Sequence, residues 1–283
     1  MNKYGTGAEE SPYDLRTFAY APSGVRKKGG SKYKPTDIED QHRVGICTAI
    51  STTQNARKAL GKKFSADFQY LLQKKFIDGN WNEGSSLSSA LKVASKFGFL
   101  LEKDWKFTTE SDRKLPYDKY ITKLRAIPDA EIDKLLILSA KNKIMAYASV
   151  PVDRDMMAEA INESKSGILV RFGMGNEWYR APIEPLRKPI KQLSGHAITE
   201  CNYDGGSFRV ANTWGSDWAD GGTAYHILSD YAPTEAWMVY YNETPNDIIV
   251  QMENRKNVLG KIENLLQKVV VLYQALNNLK NGK

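Results

Sequence analysis

The sequence predicts an α+β protein with two lobes, helices first and strands later. Segments with apolar residues at helical spacing cluster in the first half of the chain, and short apolar runs bounded by glycine turns cluster in the second. With 283 residues, 41% apolar and 11% aromatic, the chain can bury a sizeable core.

Residues 1–34 show no sustained periodicity, apart from a short segment at 12–18, and read as an N-terminal extension. Residues 48–60 read as a helix, which puts Cys47 at a helix N-terminus. Unpaired amides and the helix dipole favour an anion there, so a lowered thiol pKa is expected. In 64–75, Phe68, Leu71, Leu72 and Lys75 fall at i, i+3, i+4 and i+7, with Ser65 as N-cap. Residues 79–86 read as a loop, and 87–98 as a third helix stopped by Gly98.

The signal is thin from 101 to 143. Trp105, Phe107 and Pro116-Tyr117 suggest loop packing, and 128–136 a short helix. Residues 144–150 then read as a strand, 153–163 as a helix, and 167–172, 197–202, 207–212 and 222–227 as strands. The expected division is an extension at 1–34, a domain at 35–245 (helical lobe 35–143, β lobe 144–245) and a helix at 246–283. In that tail Met252, Leu259, Leu266 and Tyr273 share one heptad position, and Ile262, Val269 and Leu276 a second. This amphipathic helix could pack on its own domain, build a homo-oligomer through 247–280, or touch a membrane surface, its acidic and amide-rich polar face disfavouring the last.

A net charge of +7 comes from 40 basic residues interleaved with 33 acidic ones. The only dense basic run, 26–34, contains two adjacent glycines and reads as a solvated loop before an anionic-partner patch, so no nucleic acid is expected. The first ten residues lack an apolar leader and no run approaches the roughly 20 residues that span a bilayer. No membrane contact is expected, and a cytoplasmic location is favoured. Two cysteines, Cys47 and Cys201, are too few for a disulfide framework, and Cys201, in an apolar strand, reads as an inert buried thiol.

Gln41 stands six residues before Cys47. Of the three histidines, His42, His196 and His226, the second sits in Ser194-Gly195-His196-Ala197, a small-residue approach to a strand, and Asn212-Thr213-Trp214-Gly215 follows. Gln, Cys, His and Asn in this order, with the histidine roughly 150 residues after the cysteine, resemble the papain-like (C1 family) cysteine peptidases, in a bacterial-type variant.

The resemblance implies a two-lobed fold with a cleft, Cys47 as nucleophile, His196 as base, Asn212 orienting the imidazole and Gln41 donating to an oxyanion. It implies that Gly84 and Ser85, in the place of a Gly-Gly pair, together with Trp214, form the substrate-binding site. It implies no cofactor and no metal, and a peptide or protein as partner. His42 stands where glycine is usual, which puts the loop's shape in question, and Ser85 would crowd a peptide more than glycine does. Two other readings stay open: a catalytically silent assembly protein, and a thiol-dependent amide hydrolase or acyltransferase. The stretch before the catalytic region is short for an inhibitory propeptide, so either a short N-terminal segment covers the cleft or regulation takes another route.

Overall fold

Helix α1 (Cys47–Leu60) is the pivot of the molecule, and every residue from Cys47 to Ala56 is buried. A helix with no wet face in its first turns has to satisfy its own hydroxyls. Thr52 Oγ1 donates to the Thr48 carbonyl at 2.6 Å and Thr53 Oγ1 to that of Ala49 at 2.9 Å. Gly61 closes the helix at φ +66°. Helix α2 (Ala66–Leu72) starts as expected, the Ser65 hydroxyl accepting from the Phe68 N–H, and widens into a π-helical turn at Gln73–Asp78.

The computed structural model describes residues 4–14, 17–22, 35, 37–164, 166–180 and 185–241. The predicted helix at 246–283 and the basic run at 26–34 lie outside the described residues. Strands β1 (Ala8–Glu9) and β2 (Phe18–Ala19) lie in the N-terminal stretch, and β3 (Ser85–Ser86) directly precedes helix α3 (Leu87–Lys96). Helices α4 (Tyr117–Arg125) and α5 (Asp129–Ser139) complete the first half. The first of these was not expected, because Pro116-Tyr117 resembles a loop; the proline in fact stands at its N-cap.

In the second half, β4 (Ile144–Ser149), α6 (Arg154–Glu163), β5 (Ile168–Met174), β6 (Ser194–Tyr203), β7 (Phe208–Ala211), β8 (Thr223–His226) and β9 (Glu235–Tyr241) follow. The sheet order is β2-β4-β9-β5-β6-β7-β8, antiparallel except for β2 beside β4. Strand β9 went unpredicted and is central, pairing on both sides. Among the described residues no helix is long and apolar enough to cross a membrane.

Large apolar clusters hold these elements together. Phe68, Leu71, Leu124 and Ile132 belong to the helical half; Met157, Val170, Phe172, Ile198 and Trp218 to the sheet half. Between them lies a third, joining Cys47, Leu87, Leu91, Leu169, Ala197 and Trp237. Each large side chain buried in this way contributes about 1.5–3 kcal/mol. A polar clamp fixes the loop ahead of α1. Buried Arg113 donates to Asp67 at 2.9 Å, to Glu39 at 2.6 Å and to the Asp40 carbonyl at 3.3 Å. Pairing with two carboxylates is what makes a buried guanidinium tolerable.

Candidate active site

Four of the expected residues converge where α1 meets β6 and the loop after β7. Cys47 opens α1, His196 lies near the start of β6, Asn212 directly follows β7, and Gln41 sits in the loop before α1. All four are buried. His196 Nε2 lies 2.7 Å from Asn212 Oδ1; since that oxygen only accepts, Nε2 carries the hydrogen. Nδ1 is then a bare lone pair, and it has no hydrogen-bond partner.

The thiol differs from the expectation. Burial pushes Cys47 up to about 11, against the opposing pull of the Ala197, Thr48 and Cys47 backbone N–H groups and of the Arg171 charge. Burial likewise brings His196 down to about 4, opposed by its bond to Asn212. A helix N-terminus favours thiolate, but here loss of water outweighs the dipole. The thiol and the imidazole are both neutral in this form.

The chain's own N-terminal segment lies against the site. Ala8 and Glu9 pair in parallel with Ser85 and Ser86. The Ser85 N–H donates to the Gly7 carbonyl at 3.0 Å, and the Gly7 N–H to the Gly195 carbonyl at 3.2 Å, so the segment is held from both walls. Gln41 Nε2 donates to the Gly5 carbonyl and to the Val44 carbonyl, both at 2.9 Å. Its amide hydrogens are therefore occupied by the chain itself, while Thr213 Oγ1 donates to Gln41 Oε1 at 2.5 Å.

Trp214 lies 4.6 Å from the His196 ring, centroid to centroid, and stacks against Tyr4 at 4.8 Å on an almost parallel plane. Tyr179 stacks on it at 5.3 Å. Trp218 packs beside Trp214 and donates Nε1 to the Trp178 carbonyl at 2.9 Å.

Gly84 and Ser85 do meet a peptide strand. Gly84 has φ +93°, and a Cβ on it would stand 2.2 Å from the Gly7 oxygen, so a side chain there is incompatible with the strand. Lys74 Nζ donates to the Gly84 carbonyl at 2.8 Å, and the Gly84 N–H donates to the Tyr70 hydroxyl at 3.1 Å. Despite its side chain, Ser85 leaves its backbone free to pair. His42 adopts φ +50°, the left-handed conformation glycine would take. Its ring is held on both sides, with Nδ1 3.0 Å from Asp40 and Nε2 3.0 Å from Glu110.

Sequence reasoning passed over Arg171, Thr213 and Glu83. Glu83 Oε1 accepts from the Gly45 N–H at 2.7 Å, and burial raises its carboxyl above the usual range. For Arg171 a signal existed: a charge inside the apolar run of residues 168–172.

A comparison with family models finds no match, and neither does one with curated proteins. Solved structures do match. Xylellain, a cysteine protease from Xylella fastidiosa, aligns over 86% of this chain and 98% of its own with TM-score 0.68 and 21% identity. Digestive procathepsin L 3 of Tenebrio molitor larval midgut aligns over 84% and 76%, at 0.60 and 15%. ProCathepsin B S9 from Trypanosoma congolense aligns over 84% and 86%, at 0.56 and 14%. With helices and a large antiparallel sheet matching those of these structures, the chain has the papain-like two-lobed α+β fold.

Proposed function

We propose that the chain is a cysteine peptidase acting through Cys47, His196, Asn212 and Gln41. The observation that carries this reading is the His196 ring, with Nε2 bound to Asn212 and Nδ1 buried and bare. A merely structural histidine would have both nitrogens satisfied, as His226 does between Glu200 and the Tyr231 carbonyl.

In the reaction, Nδ1 takes the proton of the Cys47 thiol as Sγ attacks a peptide carbonyl. The carbonyl oxygen becomes an oxyanion, receiving hydrogen bonds from Gln41 Nε2 and the Cys47 N–H. Its collapse breaks the C–N bond, and imidazolium gives the proton to the leaving amine. Water, deprotonated by the same nitrogen, then cleaves the thioester and regenerates the thiol. Asn212 holds the tautomer throughout, while Trp214 covers its bond to the ring.

The substrate is a peptide or protein bound as an extended strand between Ser85 and Gly195, where residues 7–9 now lie. That segment acts as a cover: through Gly5 and Gly7 it takes up one amide hydrogen of Gln41 and the Ser85 N–H, over a thiol and an imidazole that are neutral. Labelling with a peptidyl epoxide at neutral pH, read by peptide mass spectrometry, tests the reading. Modification of Cys47 in the wild type that is lost in His196→Ala is expected. Labelling equal in both proteins would rule out an activated nucleophile.

A further inference from the structure

Arg171 is a buried cation that takes a carbonyl and a carboxylate from the N-terminal segment. It sits in β5 opposite Ala197, the neighbour of His196, and its side chain is 6% exposed. Nε donates to the Ala8 carbonyl at 2.9 Å, and Nη1 to Thr234 Oγ1 at 2.8 Å. Nη1 also faces Glu10 Oε1 at 3.5 Å, from a carboxylate that is 78% exposed. Gly195 makes room for this arrangement: a Cβ there would stand 2.0 Å from the Ala8 oxygen and 2.6 Å from Arg171 Nη2.

Among the described residues, Glu10 is the carboxylate that forms an ion pair with Arg171. Glu235 is its register partner on β9, yet it makes no ion pair with Arg171 among the described residues: Oε2 accepts from Trp237 Nε1 at 2.9 Å and Oε1 has no hydrogen-bond partner. When residues 7–10 withdraw, Arg171 keeps Thr234 and loses both the carbonyl and the carboxylate. A guanidinium left buried without an anion is costly, and its planar fork matches a carboxylate.

We infer that Arg171 is a specificity-determining residue, selecting peptides that place a carboxylate where Glu10 now reaches. This rests on the peptidase reading for the occupant of the cleft, but not on turnover. The carboxylate comes either from a Glu or Asp side chain or from the peptide's C-terminus, and both deliver the same chemistry.

Binding to the full chain carrying Cys47→Ala separates these cases. Acetylated, amidated peptides differing only by Glu or Gln at each position in turn are titrated by calorimetry, alongside the all-Gln peptide with a free C-terminal acid. Either one Glu position or the free acid is expected to bind about tenfold or more tighter than its neutral counterpart. Arg171→Met should bring that ratio within about twofold, and Arg171→Lys should keep a few-fold preference.

A ratio near one in the parent, no measurable binding of any peptide, or a ratio unchanged in Arg171→Met overturns the inference. If Arg171→Met does not fold, the parental ratio and the Lys variant decide. Acid preference without cleavage by the wild type sinks the peptidase reading alone; cleavage without acid preference sinks the role of Arg171 alone.

Discussion

At the scale of single residues, Gln41 and His42 make opposite demands on the loop before α1. Gln41 uses both ends of its amide, donating to Gly5 and Val44 and accepting from Thr213. Gln41→Ala is expected to lower kcat on a small peptide substrate by about 10²–10³, the usual effect of losing an oxyanion donor. Its melting temperature should fall as well, because Thr213 and Val44 lose a partner. His42 shows the reverse economy: its φ of +50° strains any side chain, while its ring holds Asp40 and Glu110. His42→Ala keeps the strain and loses the contacts. His42→Gly should therefore be the more stable of the two by about 1 kcal/mol in urea unfolding, and equal stabilities would contradict the strain argument.

At the scale of elements, the proposed cover makes the N-terminal strand the element that sets access to Cys47. Gly5 runs so close to the loop before α1 that a Cβ would stand 2.4 Å from the Val44 oxygen and 2.7 Å from that of Arg43, both backbone atoms. Gly5→Ala is therefore expected to push the segment out of the cleft and to raise the rate of Cys47 alkylation by iodoacetamide about tenfold or more. An unchanged rate would mean that the segment does not control access. The elements around it were unevenly legible in the sequence. α1, α2 and α3 could be read because their apolar spacing, Ser65 cap and glycine stop are local signals. β9 could not, since Glu235-Ala236-Trp237-Met238 has no turn signature of its own and owes its strand form to β4 and β5 on either side. The four candidate site residues were readable as types in order, whereas Arg171 and Gly5 acquire meaning only when residues far apart in the chain meet.

At the scale of the whole molecule, the closed cleft ties stability to pH. His196 falls from 6.5 to about 4 on folding, so between those values the unfolded chain binds a proton that the folded chain does not. Its contribution is complete above pH 6.5, shrinks as pH falls through the window, and is gone below about 4. Burial raises Cys47 from 9.0 to about 11, with the opposite consequence: stability is lost as pH rises through that interval. The difference between wild type and His196→Asn in urea unfolding should therefore change by up to about 3 kcal/mol between pH 7 and pH 4. A pH-independent difference would show that the ring is hydrated in the folded chain. Buried Glu39, raised by loss of water, acts in the other direction but appears in both proteins and cancels.

The parallel pairing of residues 8–9 with 85–86 carries a kinetic consequence. A strand that belongs to the same chain as the cleft meets it at an effective concentration set by its tether, on the order of millimolar for a short flexible link. Diluting the protein leaves that value unchanged, so the covered fraction is the same at nanomolar and at micromolar protein. Under the proposed peptidase reading, an incoming peptide faces a competitor that never diffuses away, and its apparent affinity is scaled by the fraction of molecules whose strand is out.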